Sequence, residues 1–136
     1  MKELKTRGIR NDNPLNIRHG KSQWVGMRKA QTDRAFVQFI ERKYGYRAAF
    51  ILLRNYIRGG HNTIRKIIAR WAPPSDGNNT QAYICFVSTT TGIDANLVVD
   101  FNDKDVMVNI VRSMAQMECG IIEDKTLIEE AYEMVK

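Results

Sequence analysis

The sequence predicts an α+β fold dominated by helices, about five of them, with a small antiparallel sheet near the N-terminus. From Tyr44 onward, apolar residues recur at helical spacing in successive segments bounded by Gly, Pro or a capping side chain. Before that point the chain holds only short β-favouring runs separated by turn residues. A length of 136 residues with 43% hydrophobic composition, three prolines and no internal repeat or low-complexity linker fits one domain over residues 1–136.

In the first forty residues NDNP and RHGK are turn chemistry, and LNIR, QWVG and AFVQFI are the candidate strands of a pair of hairpins. YGYRAAFILLRNYI then places Ala48, Ala49, Leu52, Leu53 and Tyr56 on one stripe, and Gly59 with Gly60 ends that helix. Asn62 or Thr63 caps the next, which turns Ile64, Ile67, Ile68 and Trp71 inward until Pro73 and Pro74 stop it. A third starts at Asn79 or Thr80, buries Tyr83, Phe86 and Val87, and stops at Gly92. Asn102 or Asp103 opens a fourth whose acidic first turn suits the helix dipole, and Asp124 caps a fifth with Leu127, Ile128, Ala131, Met134 and Val135 inside.

Charge is unevenly spread. Residues 1–70 hold 17 Lys and Arg against 4 Asp and Glu, whereas residues 71–136 hold 4 against 11, for a net charge of +6. A chain of this kind can offer a basic face to a polyanion, nucleic acid or an anionic cell-wall polymer, or its two halves can simply attract each other. MKELKTRGIRNDN is too polar for a signal peptide, and no apolar run approaches the roughly 20 residues of a membrane span. Synthesis in the cytoplasm without membrane insertion is therefore expected. Cys85 and Cys119 form no disulfide framework and no Cys/His spacing fits a zinc site, so neither metal nor cofactor is expected.

The fourth helix ends in MAQMECG, where Val111, Met114, Ala115 and Glu118 follow the i, i+3, i+4, i+7 pattern of one face. Glu118 thus points toward the core from a last helical turn. Desolvation and the negative end of the helix dipole both raise its pKa there. A glutamic acid kept protonated near neutral pH is what a glycosidase needs to protonate a leaving-group oxygen. A carboxylate paired with one of the many arginines fits the same position.

RNDNPLNIRHGKSQWVG followed by FVQFIERKYGYRAAFILLRNY resembles the lysozyme-like bacterial glucosaminidases, on Asn13, Leu15, Asn16, Ile17, Arg18, Trp24, Gly26, Phe36 and Phe39. Those enzymes carry their catalytic glutamate upstream, on a helix end to which MAQMECG is similar but downstream. The resemblance therefore implies a circularly permuted lysozyme-like domain. Nearly the whole chain, through RGIRNDNPLNIR, RWAPPSDGNNTQAY and MAQMECG, also resembles a phage-derived family of virion structural proteins. Together these imply a peptidoglycan-cleaving glycosidase of phage origin, a muramidase, glucosaminidase or lytic transglycosylase, with Glu118 as general acid. They place it in the virion or at the cell wall.

Asp33, in QTDRAF, is either the second carboxylate or an ordinary turn aspartate. Trp24, Trp71 and Tyr83 are candidate cleft-lining rings, although aromatics at helical spacing also serve as core. Asn13 and Asn16 offer amides suited to N-acetyl groups, and Arg18 offers a cation for an anionic polymer. Two rival functions remain: a virion component that binds cell-wall glycan, and other virion proteins with it, without turnover; and a basic nucleic-acid-binding protein, for which no RNP-like or zinc-finger motif is present.

Overall fold

The computed structural model describes residues 5–135; residues 1–4 and 136 of the expected domain lie outside the described residues. Among the described residues six α-helices follow one another: α1 (Arg7–Arg10), α2 (Arg42–Arg58), α3 (Ile64–Trp71), α4 (Thr80–Thr91), α5 (Lys104–Cys119) and α6 (Lys125–Glu133). A single 3-10 turn over Pro74–Asp76 joins α3 to α4.

The α+β expectation is overturned. Among the described residues there is no strand; LNIR, QWVG with the Met27 that follows it, and AFVQFI are joined by scattered backbone bonds that form two isolated antiparallel bridges, Arg18 with Phe36 and Met27 with Phe39. The physical reason lies in side chains that occupy backbone groups a ladder would use. Asn13 Nδ2 donates to the carbonyls of Ile17 and Val37, and its Oδ1 accepts from the Ile17 amide. Gln31 takes both the amide and the carbonyl of Gln38, while Gln38 Oε1 accepts from the Thr32 amide. With those partners filled, the extended segments stay as loops pinned to one another point by point.

The helices form where local signals place them. Thr63, Asn79, Asp103 and Asp124 each accept a hydrogen bond from an amide in the first turn of α3, α4, α5 and α6. α5 is the central element: Met107, Val108, Ile110, Val111, Met114 and Ala115 are fully buried, and the helix packs on α4 and α6. α2 lies against α6, with Phe50 and Tyr132 meeting edge to face at 5.4 Å. The N-terminal segment rides directly on α2 at Gly45, where a Cβ would come within 2.9 Å of the Asp12 carbonyl. That close approach holds residues 12–16 beside the end of α5. Under it, Glu123, 3% exposed, is paired with Arg42 at 2.7 Å.

Candidate active site around Glu118

Glu118 leaves the last turn of α5 just before Gly120, whose positive φ of 74° ends the helix. Three elements converge on its carboxylate. Asn16 Nδ2, from the N-terminal segment, donates to Oε1 at 3.2 Å. Trp71 Nε1, from the end of α3, donates to Oε2 at 3.2 Å, and the Tyr83 hydroxyl of α4 donates to the same oxygen at 3.0 Å. Burial pushes the Glu118 pKa up; the hydrogen bonds from Asn16, Tyr83 and Trp71 and the charge of Arg18 pull it down, and the net direction is upward.

Asn16 sits in the left-handed region at φ 52°, a conformation that Asn tolerates better than most side chains. Gly8 of α1 makes room for it: a Cβ there would lie 3.0 Å from Asn16 Oδ1 and 3.2 Å from the Cys119 Cβ. α1, whose sequence gave no helical signal, is thus the wedge that sets Asn16 against α5.

The carboxylate opens on a cavity of about 420 Å³. One wall is the N-terminal segment, with Asn16, Arg18, Trp24 and Phe36; Leu52 and Tyr56 come from α2; Trp71, Asp76 and Asn78 come from α3 and the turn after it. Arg18 is exposed and its guanidinium lies 5.0 Å from the centre of the Phe36 ring, an aromatic seat that leaves its N–H groups free for an anion. Of the residues singled out from sequence, Asn16, Arg18, Trp24, Trp71 and Glu118 line this one cavity, and Tyr83 stands behind the acid.

Asn13 and Asp33 are placed elsewhere. Asn13 is fully buried, with its amide spent on Ile17 and Val37, so it braces the loop and presents nothing to the cavity. Asp33 accepts from Arg7 Nε and Nη2, both at 2.6 Å, from Asn11 Nδ2 at 3.0 Å and from the amides of Ala35 and Phe36. These contacts hold its carboxyl well below the usual range, with the Arg7 pairing foremost, and it does not line the cavity. It is a turn carboxylate. Cys119 is buried beside Glu118 with its thiol pKa pushed up by burial, which disfavours the thiolate a nucleophile requires. Among the described residues, no three His, Cys, Asp or Glu side chains gather closely enough to hold a metal ion, and no helix is long and apolar enough to cross a membrane.

Leu52, Tyr56, Asp76 and Asn78 are cavity residues that the sequence did not single out for the site. Tyr56 reads as one more residue of the α2 core stripe, and Asp76 as part of a Pro-Pro helix stop; only the packing of α2 and α3 around the N-terminal segment brings them to the cleft.

These features define a small helical domain with a partly buried glutamic acid at the base of an aromatic-lined cleft. No protein-family model matches the sequence. The chain is 40% identical over 118 residues to Protein P5 of Pseudoalteromonas phage PM2, an alignment covering 84% of this chain and 71% of that protein. It belongs to the family of that phage protein.

Proposed function

We propose that the protein is a phage-borne glycosidase that cleaves peptidoglycan, in the virion or delivered to the cell wall, with Glu118 as the general acid. The observation that carries this reading is a glutamic acid of raised pKa facing a cleft between indole, phenol and phenyl rings. Sugars bind against such rings through their C–H faces, while a few fixed polar groups orient them. The resemblance to lysozyme-like glucosaminidases supports it: Trp24 and Phe36 of the matching segment border the same cavity as the matching glutamate.

The hydrogen bonds around Glu118 suit an acid with a directed proton. A carboxyl oxygen has two lone pairs. Those of Oε2 are both taken, by Trp71 and Tyr83, whereas among the described residues Oε1 accepts only from Asn16. The proton therefore belongs on Oε1, and delivering it to the glycosidic oxygen leaves a carboxylate that all three donors stabilise. Arg18, seated on Phe36 at the cavity wall, supports binding of a carboxylate of the peptide stem.

Purified peptidoglycan incubated with the protein should release soluble muropeptides carrying newly formed sugar ends. A folded protein that binds sacculi and releases none would replace the enzyme with a glycan-binding virion component.

A further inference from the structure

We propose that Asp76 is the second carboxylate of the reaction, taking a proton from the water that attacks the anomeric carbon. This inference rests on the glycosidase reading of Glu118.

Among the described residues the cavity is lined by two carboxylates, Glu118 and Asp76. They stand in different surroundings. Glu118 is partly buried and held by three donors, while Asp76 is exposed, and among the described residues no hydrogen bond or ion pair engages its side chain. Asp33 and Asp12 of the N-terminal segment are already engaged, by Arg7 and by Arg28 at 2.9 Å, and neither lines the cavity. A general acid gains from a dry, donor-rich setting that keeps its proton. A general base gains from a wet one, where water is at hand and its lone pairs are free.

Asp76 is also firmly placed. Pro73 and Pro74 fix the backbone ahead of it, and the Asp76 amide donates to the Pro73 carbonyl at 3.1 Å. Asn78 Nδ2 donates to the same carbonyl at 3.2 Å, and Thr80 Oγ1 ties the start of α4 to the Ala72 carbonyl at 2.6 Å. The turn is therefore fastened at both ends, one residue pair after Trp71, which itself holds Glu118. The elements that flank the turn, α3 and α4, both reach Glu118, through Trp71 and Tyr83.

In the step this implies, a water oxygen bonds to the anomeric carbon as the glycosidic C–O bond breaks. The water proton passes to Asp76, and the Glu118 proton passes to the departing oxygen. Solvent exchange then returns one proton from Asp76 and supplies one to Glu118. One water is consumed, and the new hemiacetal has inverted configuration.

The test uses the full chain and a soluble, uncrosslinked peptidoglycan oligomer. Asp76→Asn should lower kcat by roughly 10²- to 10⁴-fold with KM little changed. Sodium azide should restore turnover in Asp76→Asn and Asp76→Ala by forming a glycosyl azide of inverted configuration, because azide attacks without needing a base. The thermal midpoints of both variants should match the parent. Retained configuration in the parent's product, 1,6-anhydro ends, full activity of Asp76→Asn, or inactivity that azide does not relieve would each overturn the proposal. Glu118→Gln run alongside separates the two readings: a silent Glu118→Gln with a fully active Asp76→Asn removes only Asp76, whereas an active Glu118→Gln removes the acid itself.

Discussion

Replacing Glu118 by Gln removes a titratable proton while preserving shape, and the structure sets what should follow. The Gln carbonyl can still accept from Trp71 and Tyr83, but its amide then faces the Asn16 Nδ2, donor against donor. Asn16 can resolve the conflict by turning over, because its Oδ1 is buried with no partner in the native arrangement. The bond is then re-formed with roles exchanged. An unrelieved clash would leave an unpaired buried donor, at roughly 1 to 3 kcal/mol; with the turnover the net change should be within about 1 kcal/mol, or about 4 °C in thermal midpoint for a chain of this size. Catalysis has no such remedy, since an amide donates no proton to a leaving oxygen. Turnover on peptidoglycan should fall by roughly 10²- to 10⁴-fold, about 3 to 5 kcal/mol of transition-state stabilisation. Stability against pH supplies an independent check. A carboxyl whose folded pKa is raised favours folding below its ordinary value of 4.5, and loses that contribution as pH rises through the folded value. The Gln variant lacks this dependence, so it should gain stability relative to the parent as pH rises from 4.5 through the folded value. Turnover and calorimetric midpoints measured together decide the matter. A variant that still cleaves, or is inactive only because it has unfolded, refutes the assignment of Glu118.

Asn16→Ala and Asn16→Gly should both weaken catalysis by freeing Oε1, but Ala should be less stable than Gly by about 1 kcal/mol because the site has φ 52°, a difference thermal melts will resolve. Arg42→Leu should cost roughly 3 kcal/mol by stranding the buried Glu123, toward the lower end for such pairs because Arg42 is one-third exposed; urea denaturation with unchanged slope measures it. Binding to sacculi should weaken steeply between low and high salt while cleavage of a neutral chitin oligomer hardly changes, and equal salt sensitivity would count against Arg18 as an anion grip.

The helices were legible because their signals are local. Thr63, Asn79, Asp103 and Asp124 sit where caps belong, and the apolar spacing between them needs no knowledge of the rest of the chain. LNIR and AFVQFI have β-favouring composition, yet only scattered backbone bonds such as that from the Val37 amide to the Ile17 carbonyl join them, and side chains fill neighbouring groups, as Asn13 does by bridging to Val37 24 positions away. Composition cannot reveal that competition. Glu118 stood out as an acid interrupting an apolar face, and its burial was readable from helix geometry, whereas its donors Asn16, Trp71 and Tyr83 come from three other elements. The roles of Asn13 and Asp33 were not: Asp33 faces Arg7 26 residues away, and only the folded chain brings the two together.

The bond between Asn16 and Glu118 joins positions 102 residues apart. Closing a flexible loop of that length costs roughly 4 kcal/mol in chain entropy beyond a fixed term. The ribosome releases Asn16, Trp71 and Tyr83 well before Glu118, so the ring of donors is complete in composition while still empty at its centre. A chain interrupted between Tyr83 and Glu118 carries the rings of the cleft without Glu118, and the cleft acquires that carboxylate only when the end of α5 folds back onto the N-terminal segment.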